Sequence, residues 1–419
     1  MALLRVLGSG KEVGRAAILV EHRGRGLLLD YGVNFNEDDI PIFPEHVRPR
    51  DLEGIVLTHS HLDHIGAAPS LFTSITPEIM ATPLTLDVSR ILLYDMIKLN
   101  GPYLPFDEQS VDDMISSGKT LHYGEEVNLG DFTVTLHDSG HIPGSASVLV
   151  EVNGRRLLYT SDLNNIETKL VGPARLDGLK ADVVVIESTY GASNHPPRLE
   201  TEKRFIDSVT EVVENGGTVL VPAFSVSRGQ EIMCLLAERG IDYPVWVDGM
   251  IRQVSELYML HSQYIRSPGL LSRAVSEFRF IRGWQDRRKA YRKPGVIIAS
   301  AGMLKGGPSL YYLKKMATNE RNGVFMVSYQ APGTTGRQIL EEGVFGEERI
   351  PVLARVEWFD FSSHIDQNGI VKVLRGINSV EKVVLVHGDP GAQEVLASRI
   401  REELGIDVEL PANGDSIEF

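Results

Sequence analysis

Apolar residues along the first 190 positions come in short runs separated by turn residues. Residues 16–20 (AAILV), 26–30 (GLLLD), 55–58 (IVLT), 132–136 (FTVTL), 147–152 (SVLVEV) and 156–160 (RLLYT) read as strands. Residues 84–99 and 107–117 carry apolar positions at helical spacing and read as helices. Mostly β-structure with helices outside it predicts an α/β/β/α sandwich. The pattern then changes. A buried strand at 182–186 (DVVVI) leads to Glu187, and a turn-rich stretch at 191–198 (GASNHPPR) makes a boundary. Beyond it, helices at 201–215 and 227–239 alternate with strands at 218–221, 245–247, 295–299 and 324–329, as in doubly wound α/β units. A strand at 383–386 (VVLV), a helix at 393–404 and a terminal strand close the chain.

Composition is that of a folded protein: of 419 residues, 42% are hydrophobic and 23% charged, which sets aside disorder, collagen and coiled coil. Cys234 is the only cysteine, so an intrachain disulfide and cysteine-rich zinc modules are excluded. It lies in an amphipathic helix and reads as a buried structural thiol. No apolar run approaches the length of a membrane span, and the N-terminus does not read as a signal peptide, so a soluble cytoplasmic protein with no membrane partner is expected.

The strongest chemical signal is THSHLDH at 58–64, directly after the strand at 55–58. In extended backbone, residues i and i+2 project to one side, so His59 and His61 can reach one metal together. Asp63 and His64 fall where the chain should turn into a helix and can reach a second. Nitrogen and oxygen donors suit Zn²⁺, with Mn²⁺ or Fe²⁺ as alternatives. His141 (DSGHIPGS), Asp162 (YTSD) and His387 (VHGD) each stand at or just beyond the end of an apolar strand. Gly8-Ser9-Gly10-Lys11 superficially suggests a phosphate-binding loop, but it lacks the GxxxxGK[ST] spacing and Glu12 follows the lysine.

These motifs resemble the metallo-β-lactamase fold family, with Asp30 (LDYG) fitting its first motif. Glu187 (VVVIEST), His364 (FSSHID) and His387 (VHGD) resemble motifs A, B and C of the β-CASP subfamily. VPAFSVSRGQ at 221–230, SAGM at 300–303 and YQAPGTTGR at 329–337 resemble that subfamily's inserted domain. The resemblance covers essentially the whole chain and is closest to the nuclease subunit of the cleavage and polyadenylation specificity factor and its prokaryotic relatives, without KH domains. It implies a sandwich domain at 1–191 and 362–419 with a β-CASP insertion at 192–361. It also implies one zinc held by His59, His61 and His141, a second held by Asp63, His64 and His387, and Asp162 bridging them.

The activity implied by the resemblance is hydrolysis of single-stranded RNA by two-metal hydroxide attack, internally and with 5′→3′ exonuclease action, in RNA processing or decay. His at motif C favours RNA over DNA. His364, oriented by Glu187, would protonate the departing oxygen, or the pair would simply tie structure together; Asp63 would alternatively handle the water proton. Arg228, Ser300, Gly302 and Arg337, in or beside glycine- and serine-rich turns, are the candidate substrate contacts. The competing expectations are a small-ester or thioester hydrolase, disfavoured by the insertion, and a non-catalytic scaffold, disfavoured by the complete donor set. A homodimer or an RNA-processing complex is the expected assembly.

Charge sharpens the RNA expectation. The formal net charge is −14, which alone argues against a polyanionic substrate. Residues 261–321, however, hold 13 Lys and Arg against three acidic residues, leaving −24 on the rest. Trp284, Tyr291, Tyr311 and Tyr312 lie among those cations as candidates for base stacking, with Arg287, Arg288 and Lys289 as candidate phosphate contacts.

Overall fold

The structure, a computed structural model, describes residues 2–419. The described chain divides into two compact units, one formed by 2–167, 172–194 and 363–419, the other by 168–171 and 195–362.

The first unit holds two seven-stranded sheets. One runs in the order Ser416–Glu418, Leu3–Gly8, Ala17–His22, Arg25–Leu29, Leu52–Val56, Ile79–Ala81, Gly118–Thr120. Its first three pairings are antiparallel and its last three parallel. The other runs Asp407–Glu409, Lys382–Val386, Val183–Glu187, Arg155–Tyr159, Ala146–Val152, Phe132–Asp138, Glu126–Leu129. Period-2 alternation decides which side chains face which layer. Leu27 and Leu29 join Val134, Val148, Leu157 and Val185 in the core between the sheets. Leu28 points the other way, into the cluster under helices Pro83–Asn100 and Glu108–Ser116. The far side of the second sheet is covered by helices Gln367–Gly376 and Pro390–Leu404, through Ile370, Leu374, Leu396 and Ile400. The layers are therefore α/β/β/α, as the hydrophobic pattern predicts.

The second unit is built on a six-stranded, all-parallel sheet. Its order is Arg279–Phe280, Val245–Asp248, Gly295–Ala299, Thr218–Pro222, Gly323–Met326, Arg355–Trp358. Both faces are covered: Val219, Val221 and Ile298 enter one core, Leu220, Ile297 and Ala299 the other. Continuous apolar strands are what such two-sided burial requires. Two expected strands differ at their ends. The strand expected at 55–58 is Leu52–Val56: Leu57 N–H makes the last bond to the neighbouring strand, at Met80 O (2.8 Å), and Thr58 N–H turns to the Asp30 carboxylate (2.8 Å). The strand expected at 324–329 ends at Met326, and Tyr329 is 55% exposed. Cys234 is fully buried in helix Arg228–Arg239, and burial pushes its thiol far up.

Candidate metal centre

Sheet proteins place sites beyond the C-terminal ends of parallel strands, and the polar cluster of the first unit lies there. Beyond Leu52–Val56 come His59 and His61, then a single helical turn, Leu62–Ile65, bearing Asp63 and His64. Glu187 ends Val183–Glu187, and His387 follows Lys382–Val386 directly. His141 occupies the turn between Phe132–Asp138 and Ala146–Val152, and Asp162 follows Arg155–Tyr159. His364 precedes helix Gln367–Gly376. Three non-glycine residues here adopt positive φ: Asp30 (60°), Ser161 (52°) and His387 (50°). Such backbone costs on the order of 1–3 kcal/mol per residue and persists where surrounding contacts impose it. At His387 those contacts are its N–H donating to Ser9 O (2.8 Å) and its carbonyl accepting from Ser188 N (3.2 Å).

The donor atoms form two groups that share Asp162. In the first, His59 Nε2 lies 3.1 Å from His61 Nδ1 and 3.5 Å from Asp162 Oδ2. His141 Nε2 lies 3.3 Å from His61 Nδ1 and 3.5 Å from Asp162 Oδ2. In the second, His64 Nε2 is 3.2 Å from Asp162 Oδ1, and His387 Nε2 is 3.3 Å from Asp63 Oδ2. Ligands about 2.0–2.2 Å from a tetrahedral ion lie roughly 3.3–3.6 Å from one another, so the spacing suits a transition-metal cation. His64 Nε2 and Asp162 Oδ1 are both buried and neither has a hydrogen-bond partner among the described residues. A carboxylate oxygen and an imidazole nitrogen held side by side in this way are stabilised by a positive charge between them, supplied by a proton on Nε2 or by a bound cation.

Outer contacts set the tautomers. Asp30 accepts from His64 Nδ1 (2.7 Å), Thr58 N and Oγ1 (both 2.8 Å) and Tyr159 OH (3.0 Å). A carboxylate only accepts, so His64 Nδ1 carries a proton and Nε2 is the nitrogen turned inward, where it would offer a lone pair to a bound cation. Because Thr58 Oγ1 gives its proton to Asp30, it accepts from His59 Nδ1 at 3.2 Å, with the same consequence for His59. His141 Nδ1 donates to Ser363 O at 2.9 Å. Thr189 Oγ1 donates to His387 O (3.1 Å) and so receives His387 Nδ1–H (3.2 Å). Thr58, Ser363 and Thr189 were not singled out in the sequence, although Thr58 and Ser363 directly precede His59 and His364 and Thr189 stands two residues after Glu187.

Burial pushes His59 and His141 well below the ordinary histidine range. Burial opposes charge on His64 too, but Asp162, Asp30 and Asp63 outweigh it and hold that ring well above the range. Asp162, despite burial, is held well below the carboxylate range by His64, His387 and His364.

Beside the donors, Glu187 is buried and accepts Leu163 N–H (2.7 Å) and His364 Nδ1–H (2.9 Å). His364 Nε2 is left 3.9 Å from Asp162 Oδ2. Burial disfavours charge on His364, yet Glu187 and Asp162 push it up to about 9. Glu187 and His364 also form a third donor group with Asp162 and His387.

Comparison with known proteins agrees with this geometry. Residues 10–205 match the metallo-β-lactamase superfamily, residues 230–339 the Beta-Casp domain, and residues 349–411 the Zn-dependent metallo-hydrolase RNA specificity domain. RNase aCSPSF2 of Saccharolobus solfataricus is 44% identical over 416 residues, spanning 99% of this chain and 85% of that protein. The chain belongs to the β-CASP branch of the metallo-β-lactamase superfamily. This β-CASP protein is thus a metal-dependent hydrolase of a ribonuclease family. It is also 33% identical to the Probable RNase MJ4 of Methanocaldococcus jannaschii, over 98% of each chain. It is 35% identical to Transcription termination factor FttA of Pyrococcus horikoshii, over 98% of this chain and 70% of that one. A protein of unknown function from Enterococcus faecalis has the same fold, with TM-score 0.63, 12% identity and 99% of each chain covered. Among the described residues no helix of this β-CASP protein is long and apolar enough to cross a membrane.

The candidate substrate residues of the β-CASP insertion sort differently. Arg228 donates to Val327 O at the start of its helix, and Arg337 pairs with Glu341 one turn on. Ser300 N donates to Asp248 O (3.5 Å). Gly302 is packed so that a Cβ would meet Phe224 at 3.0 Å, which explains the glycine without any ligand. Two stacking and charge expectations need correction. Tyr312 is fully buried, its hydroxyl donating to Asp248 (2.9 Å), so it has no face for a base. Arg287 makes a two-pronged pair with the same buried Asp248 (2.7 and 3.0 Å) and is no mobile phosphate contact. Trp284 is 62% exposed, with the Arg287 guanidinium over its ring at 5.1 Å. Gly10 packs on Ala412 and Asn413, in keeping with the rejection of a phosphate loop there.

Proposed function

We propose that this protein is a zinc-dependent ribonuclease that hydrolyses phosphodiester bonds of single-stranded RNA, cutting internally and trimming 5′→3′ from the same site. The observation that carries the reading is the sharing of Asp162 between two complete donor groups, with a Glu187–His364 pair beside them. His59, His61, His141 and Asp162 would hold one ion; Asp63, His64, His387 and Asp162 the other. Two such ions, when bound, neutralise charge on a phosphoryl oxygen and lower the pKa of water.

The chain's own residues supply the remaining work. Asp30, Thr58, Ser363 and Thr189 hold the Nδ1 proton of His64, His59, His141 and His387 outward, so four of the five imidazoles need little reorganisation to bind an ion. Glu187 keeps the Nδ1 proton of His364 and leaves Nε2 to protonate the departing ribose oxygen. Asp63, on a one-turn helix and partly accessible, is placed to take a water proton. Residues 192–361 are read as the β-CASP insertion, which small-ester hydrolases of this fold lack. The ribonuclease and termination-factor names of the relatives support a role in RNA processing or decay.

Labelled RNAs with 5′-monophosphate and 5′-triphosphate ends, incubated with and without a zinc chelator and resolved by product length, test the reading. Internal products that vanish with chelator are expected. Intact RNA in the metal-replete reaction overturns it.

A further inference from the structure

A cavity of about 520 Å³ opens at the free edge of the parallel sheet of the second unit, outside the metal centre. Its wall is the edge strand Arg279–Phe280 and its sheet neighbour Trp246; helix Ile251–Leu260 and the start of helix Trp284–Ala290 close the sides. The volume is that of a small-ligand pocket. Three half-buried aromatic rings line it, Trp246, Phe278 and Phe280. The Arg279 guanidinium lies 5.4 Å from the Trp246 ring centroid, stacked rather than paired.

The charges are the informative part. Both carboxylates of the cavity have partners: Glu256 holds Arg252 at 2.9 Å, and Asp286 accepts Arg282 N–H at 3.2 Å and lies 3.9 Å from Lys289. The Arg279 and Arg282 guanidiniums have no carboxylate partner among the described residues, and both are exposed. Arg273, Arg287, Arg337, Arg349 and Arg355 of the same unit are paired with carboxylates, whereas among the described residues Arg279 and Arg282, like Arg288, Arg292 and Arg321, are not. One guanidinium on the Trp246 ring and a second without a carboxylate in the same lining match a nucleotide unit: the fork binds phosphate oxygens and the rings or guanidinium plane stack a base. An acidic peptide would use the cations and leave the rings idle.

We propose that this cavity is a second RNA-binding site, engaging a nucleotide of a single-stranded RNA chain through Arg279 and Arg282 on the phosphates and the aromatic wall on the base. The proposal rests on the ribonuclease reading for its ligand but not for its location. By it, the inserted unit grips substrate at a point separate from the metal donors.

The test is Arg279→Ala/Arg282→Ala, which alters exposed side chains only. Anisotropy of labelled single-stranded RNA, short and several times longer, is read across a salt series, with cleavage of the short RNA in parallel. Expected are about 10-fold weaker binding of the long RNA and a salt slope reduced by roughly 0.7 per lost phosphate contact. Turnover of the short RNA stays at the wild-type value. Unchanged affinity and slope for long RNA, while wild type still cleaves RNA, overturn the second site and leave the ribonuclease reading standing. Equal weakening for duplex RNA overturns it too, because stacking selects single strands. So does altered self-association with RNA binding intact, which would mark the arginines as edge-strand guards. A mononucleotide that binds wild type and not the variant, while long RNA is indifferent, reassigns the cavity to a free nucleotide. A wild type that neither binds nor cuts RNA defeats both readings.

Discussion

The carboxylate of Asp30 lies 2.7 Å from His64 Nδ1 and turns the opposite ring nitrogen toward Asp162, 3.2 Å away. Asp30 itself never reaches the donor cluster; it positions. Asp30→Asn removes the obligatory acceptor and frees the ring to adopt the other tautomer. Outer-shell changes of this kind cost about 10- to 100-fold in metal affinity. Zinc titration with a competing chelator should show that loss, and wild-type affinity would assign Asp30 a packing role only.

Asp162 is common to both donor groups, and His59 belongs to one. Cleavage of labelled RNA should vanish in Asp162→Ala and in His59→Ala. Metal analysis should separate them, with both ions lost from the first and one weakened in the second. Full activity in either variant is incompatible with a shared-metal site.

His364→Ala and Glu187→Gln act on the proton, not on the proposed ligands. Turnover should fall by roughly 10²–10⁴ in His364→Ala, the range for loss of a general acid. Metal content should stay at the wild-type level. If metal leaves with the side chain, the Glu187–His364 pair is part of the metal cage, as the third donor group would allow.

Arg287 is joined to Asp248, which is 4% exposed and also receives the Tyr312 hydroxyl. Arg287→Ala strands that carboxylate. With Arg287 itself a quarter exposed, the expected loss is about 1–2 kcal/mol, below the 3–5 of a fully buried pair. Urea unfolding should report it, and the salt slope of RNA binding should not change.

Burial raises the Tyr31 hydroxyl to about 12 from 10.0. The folded chain therefore holds this proton where the unfolded chain has lost it. Stability from Tyr31 is complete below pH 10 and drains away as pH rises toward about 12. Tyr31→Phe lacks the titrating group, so its denaturant midpoint should fall less steeply across that window than the wild type's.

Much of the fold was legible along the chain. Period-2 runs such as 147–152 and the buried runs at 182–186 and 295–299 reflect local backbone geometry, and the strands Ala146–Val152, Val183–Glu187 and Gly295–Ala299 follow them within a residue. Short elements were harder: Leu3–Gly8 and Ile79–Ala81 are strands whose sequence carries little pattern of its own and whose pairing comes from neighbours in the sheet.

For the site, the sequence by itself determined residue types and their exit points. His59, His61, Asp63 and His64 lie within eight positions of one strand end, and local geometry suffices to bring them together. The tertiary structure decided the rest. It brought His141, Asp162 and His387 to the same point, placed Asp162 in every donor group, and oriented His64, His59, His141 and His387 through Asp30, Thr58, Ser363 and Thr189. It also decided which cations of the basic segment are spent: Arg287 on Asp248 and Arg273 on Glu277, with Arg279 and Arg282 among those that meet no carboxylate of the described residues. Composition counts charges, but pairing joins residues tens to hundreds of positions apart, and only packing settles which partner each one meets.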